Sequence, residues 1–442
     1  MKQSLTTNLK TRKSKTKFSF THERNEIRPQ MMRNQLKTTF FLTFFLLLLS
    51  GCADSTDNQQ KLDQFYQPII DSIKQKFAPD QRVDRITIST TWEADDDCPT
   101  FVGKTTVRGV RDALLNAFET NNLCYQANIN NLPASSLKAD TFGIINVSVA
   151  NLRTQPKHSG ELTTQALLGM PLKVYDHEDG WYLVQSPDRY IAWLEAGAFV
   201  RGDRQMMQRY YGGPLAYLET APTRKLTTTP SGGLTIRDLT PGSILRTGKT
   251  VGDYREIIMP DGATGYLLAT EIRSLGHWQN RAESLELDLL ATNFYGRPYL
   301  WGGTSAKGMD CSGFTKMTYL LNGYVIPRDA SQQVHAGEEV PIITNDPAYA
   351  NDNLENLKNG DLLFFGNLRE DGSQRISHVG IYLGEGRFVH AGADNGFIRE
   401  ESLYRDDDEY APHRRESLLR AKRLSIGTNG VVPIKDIIQS YQ

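Results

Sequence analysis

The spacing of apolar positions changes character several times along the chain. Thr38–Leu49, TTFFLTFFLLLL, is an unbroken run of 12 residues with no charge. A bilayer span needs about 20 apolar residues, so this run fits the core of a signal peptide flanked by Arg33 and Lys37. Ala53–Gln60 is polar and reads as a tether. Leu62, Phe65, Ile69, Ile73 and Phe77 then recur at spacings of three and four, which predicts a helix with one buried face. Arg85–Thr91 alternates as a strand does, and Val107, Val110, Leu114, Leu115 and Phe118 predict a second helix over Thr106–Asn121. Together these make residues 53–140 a small α+β domain with no catalytic signature.

From Phe142 the pattern turns to short alternating runs broken by tight turns. Leu172–Tyr175, Trp181–Gln185 and Tyr190–Leu194 read as strands, with turns at Asp179-Gly180 and Ser186-Pro187-Asp188. Such spacing means a small β-barrel or sandwich over 141–203. The texture repeats over 204–278, where Pro241–Leu245 and Asp261–Leu267 fit the same hairpin pattern. A third block, 279–425, opens on a predicted helix over Ser284–Asn293 carrying Leu287 and Leu290. After a Gly-rich turn at Gly302-Gly303, the residues Phe314, Met317, Leu320 and Leu321 repeat at helical spacing and stop at Asn322-Gly323. Gly360–Phe365, Ser377–Gly384 and Phe388–Ala391 follow as strands. Residues 426–442 are left as a tail.

Composition narrows the function classes. The 442 residues are 39% hydrophobic and 23% charged with a formal net charge of −1, so no nucleic-acid partner is expected, and no phosphate-binding glycine loop is present. The basic stretch Lys10–Lys17 lies within 30 polar residues that precede Met31; a signal peptide starting at Met31 has normal length. The cysteines are Cys52, Cys98, Cys124 and Cys311. No Cys-x-x-Cys pair exists, and no metal or cofactor is expected. Cys98 and Cys124 remain open between a disulfide and two buried thiols.

Cys311 sits where a loop becomes a helix. The first helical turn offers unpaired N–H groups and a partial positive charge, which lower a thiol's pKa and favour the nucleophilic thiolate. A nucleophile of this kind needs a base to protonate the leaving amine. In SHVGIYLG, strand alternation lets His378 face a cleft while Val379 and Ile381 face the core. His390 lies one hairpin on and can hold His378 in the productive tautomer.

YLWGG, DCSGF, GDLLFF, SHVGIYLG and FVHAG, in that order, resemble the NlpC family of papain-like cell-wall cysteine peptidases over about Leu285–Leu424. NLRTQP, GWYLVQ and RYIAWL resemble bacterial SH3 domains, frequent companions of wall hydrolases, and LSGC at Leu49–Cys52 resembles a lipoprotein signal with Cys52 lipidated. The resemblance implies an α+β protein in which two SH3-like barrels and the small N-terminal domain precede the papain-like domain. It implies Cys311 as nucleophile, His378 as base, His390 as orienter and Tyr299 as an oxyanion donor. Asp310 and Ser312 would meet the D-glutamyl portion and free amine of the substrate, Trp301 would wall the pocket, and Ser331 would join them. The combination is similar to γ-D-glutamyl-L-diamino acid endopeptidases, in which the first barrel recognises a free N-terminal L-alanine; Glu161 and Tyr190 are the candidates for that task. The partners implied are muropeptides and, through the lipid, a membrane of the cell envelope, with the protein a monomer. Two alternatives stay open: a broader hydrolase of the intact wall, and a non-catalytic wall-binding lipoprotein.

Overall fold

The computed structural model describes residues 57–219, 223–281, 287, 291, 293–342 and 354–442. The signal peptide, Cys52 and most of the helix expected over Ser284–Asn293 lie outside the described residues. Leu287 and Ala291 from that helix are described, and both are buried.

The stretch Leu62–Phe77 is helical as its apolar spacing predicts, a short π-helical turn, Leu62–Tyr66, running into the α-helix Gln67–Phe77, but the π-turn shifts the buried face: Tyr66, Ile70 and Ile73 are buried while Phe65 is exposed. Ile70 and Ile73 turn inward and pack with Phe101, Leu114 and Phe118. Strand Ile86–Thr91 pairs antiparallel with Thr100–Thr105, which pairs parallel with Gln126–Asn131. A parallel pair needs a crossover, and helix Val110–Thr120 supplies it. Cys98 and Cys124 are joined by a disulfide, which resolves the choice the sequence left open.

Two seven-stranded sheets follow. The first runs in the order Phe199–Gly202, Phe142–Ile145, Pro171–Glu178, Trp181–Gln185, Ile191–Glu195, Val149–Arg153, Leu162–Leu167. Asp179 and Gly180 both have positive φ, at 43° and 82°, the geometry that closes a two-residue hairpin in step with strand twist. The second sheet, Leu215–Ser274, has its own small core around Leu226, Leu245, Ile257 and Leu267.

The third block is a six-stranded antiparallel sheet in the order Glu338–Val340, Leu418–Arg423, Leu362–Leu368, Gln374–Gly384, Arg387–Ala391, Ile398–Ser402. Helix Cys311–Leu321 lies against it, and every one of its residues is buried. Phe314, Met317 and Leu320 share a core with Val379, Ile381 and Val389. That core continues into the first seven-stranded sheet through Leu152, Ala166 and Leu167. The stretch read as a tail is not free. Val432–Pro433 pairs with Tyr324–Val325, and helix Ile434–Gln439 buries Ile434 and Ile438. Its apolar residues recur at a spacing of four, too short a pattern to stand out in the sequence.

Polar ties fix the first sheet beside helix Cys311–Leu321. Gln165 and Thr304 exchange three hydrogen bonds of 2.8–3.0 Å. Lys316, buried on the helix, reaches the buried carboxylate of Asp188 at 2.5 Å. Gly302 has φ +78°, and a Cβ there would stand 2.2 Å from the Leu162 carbonyl oxygen. Only glycine lets the two chains approach so closely.

Candidate active site

Asp310 caps the helix that begins at Cys311. Its Oδ1 accepts the Gly313 N–H at 2.7 Å, and its Oδ2 accepts the Gly302 N–H at 2.9 Å. The same carboxylate takes two hydrogen bonds from Arg328, at 3.0 and 2.6 Å, and Arg328 is 1% exposed. Arg328 also donates to Ser312 Oγ at 2.9 Å. Arg328 was not singled out in the sequence, although it stands beside Ser331 in the same short segment.

Cys311 is a free thiol, and it lines a cavity of about 400 Å³. Backbone N–H groups of Val379 and Ser312 donate toward its sulfur, yet burial, helped by the Asp310 carboxylate, pushes the thiol up to about 12. This corrects the expectation of a lowered pKa. The physical reason is visible in the cap: the helix terminus already spends its Gly313 donor on a buried negative charge. A neighbouring anion and a dry site both favour the neutral thiol.

The two imidazoles are 2.9 Å apart, His378 Nε2 to His390 Nδ1, with both rings buried. Between their strands a Cβ at Gly380 would stand 2.9 Å from Phe388 Cδ2 and 3.3 Å from His390 Cβ, so glycine lets the strands lie close there. His390 Nε2 continues to Glu401 Oε2 at 2.9 Å, and Glu401 Oε1 accepts from Asn395 at 3.0 Å. Glu401 is 4% exposed. Burial holds both histidines below their usual range, so both rings are neutral near pH 7. The carboxylate fixes the tautomers in turn. It accepts a hydrogen bond from His390 Nε2–H, which leaves His390 Nδ1 bare to accept one from His378 Nε2–H, which leaves His378 Nδ1 bare as a base. Glu401 escaped the sequence reading because it lies on the next strand and carries no motif.

His378 departs from its expected exposure. Its ring is buried against Phe365, with centroids 5.7 Å apart. The strand holds an extra residue at Ser377, because Gly366 pairs with Ile376 while Phe365 pairs with His378. This bulge sets Ile376 and Ser377 on the cavity wall and turns the next side chain inward. Tyr299 is half-buried near Cys311 and Asp310; burial first, then those two groups, keep its phenol protonated.

The remaining expected residues divide between elements. Asp310, Ser312, Trp301, Ser331, Glu161 and Tyr190 all line the cavity with Cys311. Trp301, 64% exposed, donates its indole N–H to Glu161 Oε1 at 2.7 Å and joins the first seven-stranded sheet to the third block. Tyr190 is buried, and desolvation holds its hydroxyl protonated. The N-terminal domain, expected to take no part, adds Arg82. Its Nη1 donates to Asp329 Oδ2 at 2.8 Å and to Ser331 Oγ at 2.9 Å, while its other nitrogens hold Asp80. Arg375 completes the lining at the mouth. Among the described residues no group of three or more His, Cys, Asp or Glu side chains is placed to hold a metal, and no helix is long and apolar enough to cross a membrane. The arrangement has the parts for acyl transfer: a thiol, a neutral base held by a buried carboxylate, and a walled, charged cavity.

Two stretches of the chain match known families. Residues 296–409 match the NlpC/P60 family, and residues 152–199 match the bacterial dipeptidyl-peptidase Sh3 domain. A γ-D-glutamyl-L-lysine dipeptidyl-peptidase of Bacillus subtilis (strain 168) is 45% identical over 106 residues, 24% of this chain and 31% of that protein. Dipeptidyl-peptidase 6 of Lysinibacillus sphaericus is 29% identical over 291 residues, 62% of this chain and 95% of that protein. A solved NlpC/P60 family protein from Bacillus cereus ATCC 10987 has a TM-score of 0.51 at 24% identity, covering 64% of this chain and 99% of that one, a likeness of fold.

Proposed function

We propose that this chain, which carries an NlpC/P60 peptidase domain behind a bacterial dipeptidyl-peptidase SH3 domain, is a cysteine endopeptidase for the γ-D-glutamyl-L-diamino acid bond of peptidoglycan-derived peptides with a free N-terminal L-alanine. The cavity is the observation that supports it most. It brings Cys311 together with Glu161 and Tyr190 of the SH3 domain around a space of about 400 Å³, the scale of a small peptide.

Cys311 is the nucleophile. Its thiol keeps its proton at neutral pH, so attack requires a base, and His378 Nδ1 takes the proton as sulfur bonds to the γ-carbonyl carbon. The carbonyl pair moves onto oxygen, where the Tyr299 hydroxyl and the Cys311 backbone N–H are the donors. Collapse breaks the C–N bond, the leaving amine takes the proton from His378, and a γ-glutamyl thioester remains. Water, losing its proton to His378, hydrolyses the thioester and restores the thiol. Asp310 and Ser312 shape the acyl side with Arg328, Trp301 and Ser331 wall it, and Glu161 beside Tyr190 meets the free ammonium.

Glu401 acts on this cycle through His390. Its charge stabilises the imidazolium that forms during attack and sets the tautomers before it. Glu401→Gln keeps the shape and removes the charge, so kcat should fall at least about tenfold with little change in KM. An unchanged kcat would remove Glu401 from the relay.

The overall reading is tested with three substrates: L-Ala-γ-D-Glu-diaminopimelate, its Nα-acetyl derivative, and intact sacculi. The free-amine peptide should release diaminopimelate, the acetylated one far more slowly, and sacculi not at all. Cleavage of sacculi alone would favour the broader wall hydrolase, and cleavage of none would favour the non-catalytic lipoprotein. We further read the second seven-stranded sheet as another SH3-like barrel, and the protein as an envelope-bound monomer anchored by lipid on Cys52. Detergent-phase partitioning that a Cys52→Ala variant fails to lose would refute the anchor.

A further inference from the structure

The cavity is lined by three guanidiniums that differ in what they already hold. Arg328 is committed to Asp310 and Ser312. Arg82 is committed to Asp80, Asp329 and Ser331. Arg375 is exposed, and among the described residues no carboxylate lies within 4.0 Å of it. Its backbone is fixed in the sheet by pairing with Asn367, three positions before His378. The next two residues, Ile376 and Ser377, also line the cavity. The strand therefore carries to the cavity, three positions before the base, a cation that no carboxylate among the described residues compensates.

The chemistry of the substrate proposed above supplies the missing anion, and the inference rests on that reading. In a γ-linked glutamate the scissile carbonyl belongs to the side chain. The α-carboxyl group is then not part of the peptide bond and stays ionised, only a few bonds from the reacting carbon. Entry of that charge into a cavity that already holds Glu161, Asp310 and Asp329 would be repelled unless a cation met it. Asp310 and Asp329 are matched by Arg328 and Arg82, which leaves Arg375 for the ligand. A guanidinium presents a planar pair of donors that fits a carboxylate.

We infer that Arg375 is a specificity-determining residue that binds the free α-carboxylate of the γ-linked glutamate. It distinguishes this linkage from an ordinary α-peptide, which has no carboxylate at that place. The test compares wild type with Arg375→Gln and Arg375→Lys on two peptides. One is L-Ala-γ-D-Glu-diaminopimelate, and the other carries an α-carboxamide in place of the glutamate α-carboxylate. Arg375→Gln should lower kcat/KM for the first peptide about 10- to 100-fold, mostly through KM, and change the second by less than about threefold. Arg375→Lys should recover part of the loss. Arg375 is exposed, so thermal melting should be unchanged. Equal losses on the two peptides, or none on either, would overturn the inference while wild-type cleavage kept the γ-glutamyl reading intact. Wild-type protein that cleaved neither peptide would remove that reading, and the inference with it.

Discussion

Cys311→Ala abolishes hydrolysis of the free-amine peptide, lowering kcat/KM by about four orders of magnitude or more, and leaves the fold in place. The size follows from losing the only atom that bonds to substrate; nucleophile deletions in comparable triads remove nearly all rate above background. The fold survives because the change deletes a single sulfur whose donors are backbone N–H groups of Val379 and Ser312. Product release by chromatography and the melting temperature report the two outcomes separately. Retained hydrolysis would refute the nucleophile. The raised thiol adds a second signature. A thiolate pre-formed by its histidine reacts quickly with iodoacetamide at neutral pH, but a thiol held up at about 12 does not. Alkylation of Cys311 should therefore be slow near pH 7 and keep rising above pH 9, the ordinary value for the group. A rate that levels off below pH 7 would show that an ion pair forms after all.

The second large effect concerns stability. Arg328→Met should cost about 3–5 kcal/mol, because it leaves the Asp310 carboxylate buried without its partner. Arg328 is 1% exposed and Asp310 6% exposed, so water cannot replace the guanidinium without opening the helix start. Asp310 would still cap the helix, but with an uncompensated charge beside the thiol. The double variant, Arg328→Met with Asp310→Asn, removes both charges and should recover part of the loss, since paired deletions at one contact are not additive. Urea midpoints at constant slope provide the measurement. A single variant within about 1 kcal/mol of wild type would show that the pair contributes little.

Much of the site was legible in the residues. The passage from loop to helix at Cys311, the apolar spacing of Phe314 to Leu321 and the stop at Asn322-Gly323 all showed in the sequence, and Gly323 has φ +86°; the Asp310 cap did not show there. Alternation located the strands of both histidines, and the hairpin between them put the rings in reach. Environment was what the residues could not convey. Cys311 lies at a helix start, as expected, but burial and its own cap reverse the effect expected of that position. His378 alternates as expected, but the extra residue at Ser377 changes which neighbours face the cavity. Arg82, Arg328 and Glu401 come from three separate parts of the chain. Only the closing of distant segments on one another gives them a common task, and no local periodicity records that.

Arg82 also bears on how the parts of this protein can be rearranged. Its carbonyl accepts the Ile191 N–H at 2.6 Å while its side chain grips Asp329 and Ser331, and it borders a second cavity of about 810 Å³ as well as the one that holds Cys311. Together with Ser331 it lines both hollows. A chimera given a different leading module would need to bring its own arginine to that seam, or Asp329 would lose a counter-ion. What a domain diagram draws as separate beads is, at this point, one casting.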